Sequence, residues 1–236
     1  MAEPLLLIPG MMCDARIYAP QLTEFSRERP VHIACLHKCE TIEEMAQAVL
    51  ATAPEHFALA GHSMGGIVAM EVLRRAPERV TRVALISTNS QAEPPSIAAE
   101  REPQIVGVMA GRLDEVMQDV MRPEYLAEGP RRGDILALVR NMALAVGEGE
   151  FVRQSRALQR RPDQQKTLRK IRMPAFVVCG AEDTLTLPRR HEFMSELIPY
   201  GTLRIIDGAG HIPMLEASEA TNAVLHEWLD APLVLR

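Results

Sequence analysis

The chain has 236 residues, of which 47% are hydrophobic and 24% charged, and its formal net charge is −5. That length can bury one sizeable core, so we expect one domain with an insertion rather than two equal domains. Acidic and basic residues form no long runs, which argues against the electrostatic footprint of a nucleic-acid-binding protein. We therefore expect no nucleic-acid partner.

The start of the chain and its cysteines bear on the compartment. Residues 1–4 contain no basic side chain, and the apolar run after them is too short for a signal peptide or a membrane span. Four cysteines are too few for a disulfide framework in a chain of this size and suit a reducing compartment. The expectation is a cytoplasmic protein with no membrane partner, and the oligomeric state stays open.

Short apolar runs alternate with helical patterns along most of the chain. The predicted strands are at residues 5–8, 31–36, 57–60, 82–87, 175–179 and 203–206. The predicted helices between and after them are at residues 15–25, 41–53, 64–76, 188–197 and 218–229. This alternation predicts an α/β fold with a parallel sheet covered by helices on both faces.

One connection, residues 88–168, is too long for an ordinary link between strands and is rich in helix formers. Glycines and prolines divide it into four predicted helices, at residues 104–110, 113–121, 134–145 and 150–160. The sequence therefore predicts a helical insertion after the fourth strand.

A cluster of metal-ligand residue types occurs early in the chain. His32, Cys35, His37 and Cys39 lie within eight residues, which is enough ligand types for zinc. Alternation along a strand would place His32 on the face opposite the other three, so the four side chains would not readily converge. We therefore expect no metal site here.

Residues 61–66 read Gly-His-Ser-Met-Gly-Gly and lie between an apolar strand and a helical pattern. A serine on such a tight turn needs small residues two positions away, and Gly61 and Gly65 meet that need. The motif nominates Ser63 as a nucleophile, although it also fits a turn required only for close packing of the strand on the helix. His62 is expected to pack or hydrogen-bond beneath the turn rather than to act as the base.

A serine nucleophile needs a base whose ring is fixed by a carboxylate. Residues 177–183 run from a buried strand into an acidic turn that ends at Asp183, and residues 203–211 run from another strand into the glycine-flanked His211. A loop just beyond the strand can extend Asp183 toward the histidine, whereas Glu182 is expected to face elsewhere. The sequence therefore predicts Asp183 as the acid and His211 as the base.

In these motifs and their order, nucleophile, acid and histidine, the chain resembles an α/β-hydrolase. Residues 5–11 are similar to the strand and loop that supply half of that family's oxyanion hole, except that Pro9-Gly10 stands where many members have His-Gly. The resemblance covers nearly the whole chain. It implies a mostly parallel sheet of about six strands, in a compact variant without two strands that often begin the full-length fold.

The resemblance also implies roles for the site residues. Ser63, Asp183 and His211 would form a catalytic triad, and the backbone N–H groups of Met11 and Met64 would bind the oxyanion. Hydrolysis would pass through an acyl-enzyme, with no organic cofactor and no metal required.

Hydrolases of this fold commonly carry a cap after the fourth strand. The resemblance therefore implies that residues 1–87 and 169–236 form the hydrolase core and that residues 88–168 form a helical cap over the mouth where Ser63 is exposed. The alternative is a helical insertion that only stabilises the edge of the sheet.

The nature of the substrate rests on weaker signals. Methionines occur on or next to the predicted site loops and favour a small or medium, largely apolar acyl group. A carboxylesterase is the leading interpretation. A carbon-carbon bond hydrolase, a lactonase or a perhydrolase could use the same triad, a lyase or acyltransferase is a nearby alternative, and a small-molecule receptor with a hydrolase shell is the non-enzyme alternative. The basic residues at 160–172 could face an anionic substrate, but a solvated surface is the favoured interpretation.

Overall fold

The computed structural model describes residues 2–233. These residues contain one parallel sheet in the spatial order β2-β1-β3-β4-β5-β6. Its strands are β1 (Leu5–Ile8), β2 (Val31–Ile33), β3 (Phe57–His62), β4 (Val80–Ile86), β5 (Ala175–Gly180) and β6 (Gly201–Ile206). The predicted six-stranded α/β fold is confirmed.

Helices follow most of the strands. Those of the sheet layers are α1 (Ala19–Phe25), α2 (Ile42–Thr52), α3 (Met64–Arg75), α9 (Pro188–Leu197), α10 (Pro213–Glu216) and α11 (Ser218–Asp230). Those between β4 and β5 are α4 (Pro95–Met109), α5 (Leu113–Val120), α6 (Arg132–Val146), α7 (Glu148–Gln159) and α8 (Gln165–Leu168). The Thr41 hydroxyl accepts a hydrogen bond from the Glu44 N–H, so Thr41 caps the first turn of α2.

Alternate strand residues pack on opposite faces of the sheet. On β1, Leu6 and Ile8 join a core with α2, α3 and α9, whereas Leu5 and Leu7 join a core with α1, α6 and α11. This period of two is the geometric consequence of a pleated strand. Both faces of the sheet are therefore buried, as expected where strands are parallel.

The strand order places β1 between β2 and β3. The connection after β1 leads to β2 on one side of β1, whereas the connection after β2 leads to β3 on the other side. The two connections lead to opposite sides of β1, so a crevice opens at the carboxyl ends of β1 and β3. The loop after β1 and the turn after β3 both lie at this crevice. They contain residues 9–12 and Ser63, respectively.

The helical segment, which we define as residues 88–168, has a small core of its own. Met12, from the loop after β1, packs there with Phe151 of α7 and with apolar residues of α4 and α5. The predicted helix at 104–110 is wrong at its start, because α4 begins at Pro95 and contains Pro103 within it. A proline in a helix interior is unfavourable by about 3 kcal/mol, and tertiary packing of α4 on α7 overrides that local preference here.

Two further sequence predictions concern the second strand and the metal-ligand residues. The strand ends at Ile33 rather than at residue 36, and residues 34–40 form a loop. Across residues 2–233, no group of three or more His, Cys, Asp and Glu side chains is placed to hold a metal ion. The described helices also include none with the length and apolar character needed to cross a membrane.

Candidate active site

Ser63 sits on a strained turn between β3 and α3. Its φ of 53° and ψ of −117° lie in a region that residues with a side chain rarely adopt. A Cβ on Gly61 would lie 2.3 Å from the Gly65 carbonyl oxygen, and a Cβ on Gly65 would lie 2.1 Å from the Ile8 oxygen. The glycines are therefore required by backbone packing around the turn, which holds the serine in place.

Three side chains from three separate loops form a continuous line at this turn. His211 Nε2 lies 3.1 Å from Ser63 Oγ, and His211 Nδ1 lies 3.0 Å from Asp183 Oδ2. Asp183 and His211 are 1% and 2% exposed, whereas Ser63 is half-buried beside a cavity. The structure thus brings together the three residues that the sequence nominated, across 148 positions of the chain.

The Asp183 carboxylate is held by more than the histidine. Its Oδ1 accepts from the N–H groups of Leu185 and Thr186 at 2.9 and 2.8 Å, and its Oδ2 accepts from the Thr186 hydroxyl at 2.6 Å. Burial opposes ionisation of Asp183, but the His211 ring and the Thr186 hydrogen bonds outweigh burial and keep the pKa of this carboxyl below its ordinary value. An ionised Asp183 can accept from Nδ1–H, which leaves Nε2 as an acceptor for the serine hydroxyl.

His62 packs beneath the turn, as the sequence predicted. Its Nε2 lies 2.9 Å from the carbonyl oxygen of His211, and its ring centroid is 5.1 Å from that of His211. Burial, with a further contribution from the nearby His211, lowers the pKa of His62 to about 3. His62 is therefore neutral at ordinary pH and supports the loop of His211.

The loop after β1 presents its backbone to the same cavity. Met11 and Met64 both line the cavity with Ser63, and Met64 is the first residue of α3, so its N–H has no partner in the preceding turn. The Met11 N–H has no hydrogen-bond acceptor among residues 2–233. The next N–H, of Met12, donates to the buried Gln154 Oε1 of α7 at 2.8 Å, which ties this loop to the helical segment.

A second carboxylate, Glu216 of α10, fixes the loop that carries His211. It accepts from the N–H groups of Gly210 at 2.8 Å and Ile212 at 2.7 Å, on either side of the histidine. It also accepts from the Ala127 N–H of the helical segment at 2.7 Å. Burial raises the pKa of Glu216, although these N–H groups act in the opposite direction. Glu216 therefore joins the histidine loop to the helical segment.

A cavity of about 360 Å³ opens at Ser63 and His211. Much of its wall is apolar and comes from α3 and the helical segment, with Ile67, Ile97, Met117, Val139 and Leu158 among the lining residues. The cavity also receives charged groups, including Glu93, Arg101, Arg161 and Arg190. A solvated surface is therefore the wrong interpretation for Arg161, whose side chain is 9% exposed and pairs with Glu93 at 2.8 Å.

Sequence reasoning missed several residues that hold or line this site. Thr186, Gln154, Glu216 and Arg101 belong to no motif. Gln154, Glu216 and Arg101 each contact a residue that is distant in the chain, whereas the Thr186 hydroxyl donates to Asp183 three positions before it, at a spacing that marks no motif. Gln154 follows Phe151 by three positions and precedes Leu158 by four, so a polar residue on this face of the helix is the sequence signal that could have indicated it. For Glu216, the sequence Pro-Met-Leu-Glu shortly after the histidine gives no such signal.

Comparison with known proteins gives consistent results. The profile of the alpha/beta hydrolase family matches residues 5–224. A pimeloyl-[acyl-carrier protein] methyl ester esterase from Neisseria meningitidis is 25% identical over 194 residues, which covers 80% of this chain and 75% of the relative.

Two solved structures share the fold closely. A thermophilic esterase from Thermogutta terrifontis with malate bound has a TM-score of 0.89 and 24% identity, covering 97% of this chain and 90% of the other. The enol-lactonase from Burkholderia xenovorans LB400 has a TM-score of 0.85 and 21% identity, covering 97% and 91%. At identities of 24% and 21%, the structural likeness establishes the fold alone. The match to the family profile is a separate result, and it covers most of the sequence.

Proposed function

The chain belongs to the alpha/beta hydrolase family, and from that premise we propose that it is a carboxylesterase that uses Ser63, His211 and Asp183 as a catalytic triad. The observation that carries this proposal is the hydrogen-bonded line from Asp183 through both nitrogens of His211 to the serine hydroxyl, at the wall of a cavity. The esterase and lactonase names among its relatives support the same class of reaction.

In the proposed acylation step, His211 Nε2 takes the proton of Ser63 as Oγ attacks the ester carbonyl carbon. Asp183 keeps the imidazole in the required tautomer and stabilises its protonated form. The N–H groups of Met11 and Met64 donate to the oxygen that becomes negatively charged in the tetrahedral intermediate. The carbon–oxygen bond to the leaving group then breaks, and His211 returns the proton to the departing alcohol.

In the proposed deacylation step, water takes the place of the alcohol. His211 accepts a proton from this water as its oxygen attacks the acyl carbon. The bond to Ser63 Oγ then breaks, His211 returns the proton to that oxygen, and the acid leaves. The residues at 88–168 would act as a cap in this scheme, because helices α4–α7 contribute much of the cavity wall. The acyl group that fits best is small or medium and largely apolar, since apolar side chains line much of the cavity.

The proposal is tested with a series of p-nitrophenyl esters of increasing acyl length, together with labelling by a fluorophosphonate probe. We expect the Ser63→Ala variant to lose turnover by about six orders of magnitude and to lose labelling completely. Ser26→Ala, at an exposed serine that follows α1, is the matched control and should behave as the wild type.

Loss of both signals only in the Ser63→Ala variant would support the acyl-enzyme route. Labelling that survives in this variant would contradict the assignment of Ser63. If the wild type is labelled at Ser63 but cleaves no ester in the series, the carboxylesterase assignment fails, and lactones and carbon-carbon bond substrates are the next compounds to assay.

A further inference from the structure

Three arginine side chains face the cavity around one buried carboxylate. Arg101 of α4, Arg161 just after α7 and Arg190 of α9 line the cavity together with Glu93. The Glu93 side chain is 1% exposed and accepts from Arg101 Nε at 2.6 Å and from Arg161 Nη1 at 2.8 Å. We call these four residues the arginine cluster.

The arginine cluster carries more positive than negative charge. One carboxylate faces three guanidinium groups, and Arg190 has the neutral Gln91 side chain as its hydrogen-bond partner, at 3.3 Å. The remaining charged residues of the cavity wall are Glu100, Asp119 and Arg122. These three are exposed, so water and salt screen them, whereas the pair of Arg161 with Glu93 is buried.

Donors of the cluster are left without strong acceptors. Arg161 Nε donates to the Gln91 carbonyl oxygen and Nη1 to Glu93, while its Nη2 has no acceptor within residues 2–233. Arg101 Nη1 reaches only the sulfur of Met11, at 3.9 Å, and a thioether is a weak acceptor. An anion in the cavity could accept from both of these nitrogen atoms.

The environment of Arg161 is also unfavourable for a cation. Burial lowers its pKa, and the positive charges of Arg101 and Arg190 act in the same direction, against the opposite effect of Glu93. Holding Glu93 requires only one guanidinium, so a purely structural pair does not account for the others. A second anion would halve the excess positive charge of the cluster.

The cluster lies close to the nucleophile. Arg101 contacts the side chain of Met11. Gly10, the residue before Met11, is so near the nucleophile that a Cβ on Gly10 would lie 3.3 Å from Ser63 Cβ. A cavity of about 360 Å³ encloses both places. One small molecule can therefore reach Ser63 with one end and the arginine cluster with the other.

We propose that the substrate is a small ester that bears a free carboxylate, which binds Arg101 and Arg161 while the ester carbonyl lies at Ser63. This inference rests on the proposed function and refines it, because the substrate is then largely apolar except for one carboxylate. The carboxylate belongs either to the acyl chain, as in a monoester of a short dicarboxylic acid, or to the alcohol, as in an acylated hydroxy acid. The planar guanidinium fork suits either, because both present the same group.

The test compares esters that differ only in this charge. On the acyl side, the monomethyl esters of succinic, glutaric and adipic acid are paired with neutral methyl esters in which an isopropyl group replaces the carboxylate. On the alcohol side, O-butanoylglycolate is paired with isobutyl butanoate. We expect the wild type to prefer the charged member of at least one pair by about tenfold or more in kcat/KM, the effect of a charge-assisted hydrogen bond.

Variants then locate the preference. Arg161→Gln and Arg101→Gln should each lower kcat/KM for the preferred charged ester by about 10- to 100-fold, mainly through KM, and leave its neutral partner within about threefold. Each variant keeps one guanidinium on Glu93, and thermal unfolding checks that it folds. The matched control is Arg160→Gln, at the exposed neighbour of Arg161, which should change neither ester.

A wild type that prefers the neutral member of every pair, or an Arg161→Gln variant that weakens both members equally, would overturn the inference. Hydrolysis of the neutral esters that depends on Ser63 would in that case leave the proposed function standing. If no ester of either kind is cleaved and the fluorophosphonate probe does not label Ser63, the proposed function fails first.

Discussion

The sheet core and the helical segment use glycine in different ways. In the core, a Cβ at Gly61, Gly65 or Gly180 would lie within 2.3 Å of a backbone oxygen, so these positions require glycine for packing. In the helical segment, a Cβ at Gly111 or Gly147 would meet no atom within 4 Å. The core turns require glycine because backbone packs on backbone, whereas these two helix breaks lie in open space and require glycine only for their positive φ, of 80° and 91°. Ser63, Asp183 and His211 lie in the core and much of the cavity wall comes from the helical segment, so the proposals above assign the chemistry to the core and the choice of substrate to the segment.

The largest expected effect that separates these two roles is at the core acid. Asp183→Asn should reduce kcat by about 10⁴-fold, because an amide facing His211 Nδ1 favours the wrong imidazole tautomer. KM should change little, and the unfolding midpoint should confirm a native fold.

The matched control for that change is Glu182→Gln, at the exposed acidic neighbour on the same turn. It should retain activity within about threefold, as surface substitutions usually have small effects. An inactive Glu182→Gln with an active Asp183→Asn would reverse the assignment of the acid.

A smaller effect is expected where the two regions join. Glu216→Gln leaves one oxygen to accept from the N–H groups of Gly210, Ile212 and Ala127, so at least one buried donor loses its partner. We expect a loss of about 1–3 kcal/mol in the free energy of unfolding, measured with urea. We also expect a lower kcat, because the loop of His211 is less firmly held.

Glu219→Gln, at the exposed start of α11, is the control for that experiment and should change neither quantity. If Glu216→Gln lowers stability without any change in kcat or in its pH profile, Glu216 stabilises the junction but does not position the histidine.

The smallest expected effect concerns pH and belongs to the core. Burial lowers the pKa of His191, whose Nε2 accepts from the Thr88 N–H, to about 4, and burial with His211 lowers that of His62 to about 3. The ordinary pKa of a histidine, 6.5, applies to both residues in the unfolded chain. Below pH 6.5 the unfolded chain therefore binds protons that the folded chain does not. The contribution to stability is full above that pH and decreases as the pH falls.

Replacing one of these histidines should reduce that dependence. We expect His191→Gln to decrease the slope of unfolding free energy between about pH 6 and pH 5 by about 1 kcal/mol per pH unit, whatever its effect at neutral pH. His56→Gln, at an exposed histidine, should leave the slope unchanged. An unchanged slope in His191→Gln would mean that His191 is protonated in the folded protein over this range.

Prediction from the sequence succeeded best where structure is local. The strands β1, β3 and β5 are continuous apolar runs that a buried parallel sheet requires, and the turn at Ser63 is set by glycines a few positions away. It was less accurate for the helical segment, where the first helix was predicted to begin at residue 104 but α4 begins at Pro95 and continues through Pro103.

The sequence by itself determined the strands, the tight turn at Ser63 and the turns that carry Asp183 and His211, because each of these is a pattern of residues close together in the chain. Only the tertiary structure decided that Arg161 lines the cavity. It also decided that Glu216 accepts hydrogen bonds from both the histidine loop and Ala127, and that Gln154 accepts one from the loop after β1. These contacts join positions far apart in the chain, and hydrophobic periodicity carries no information about which distant polar groups will meet.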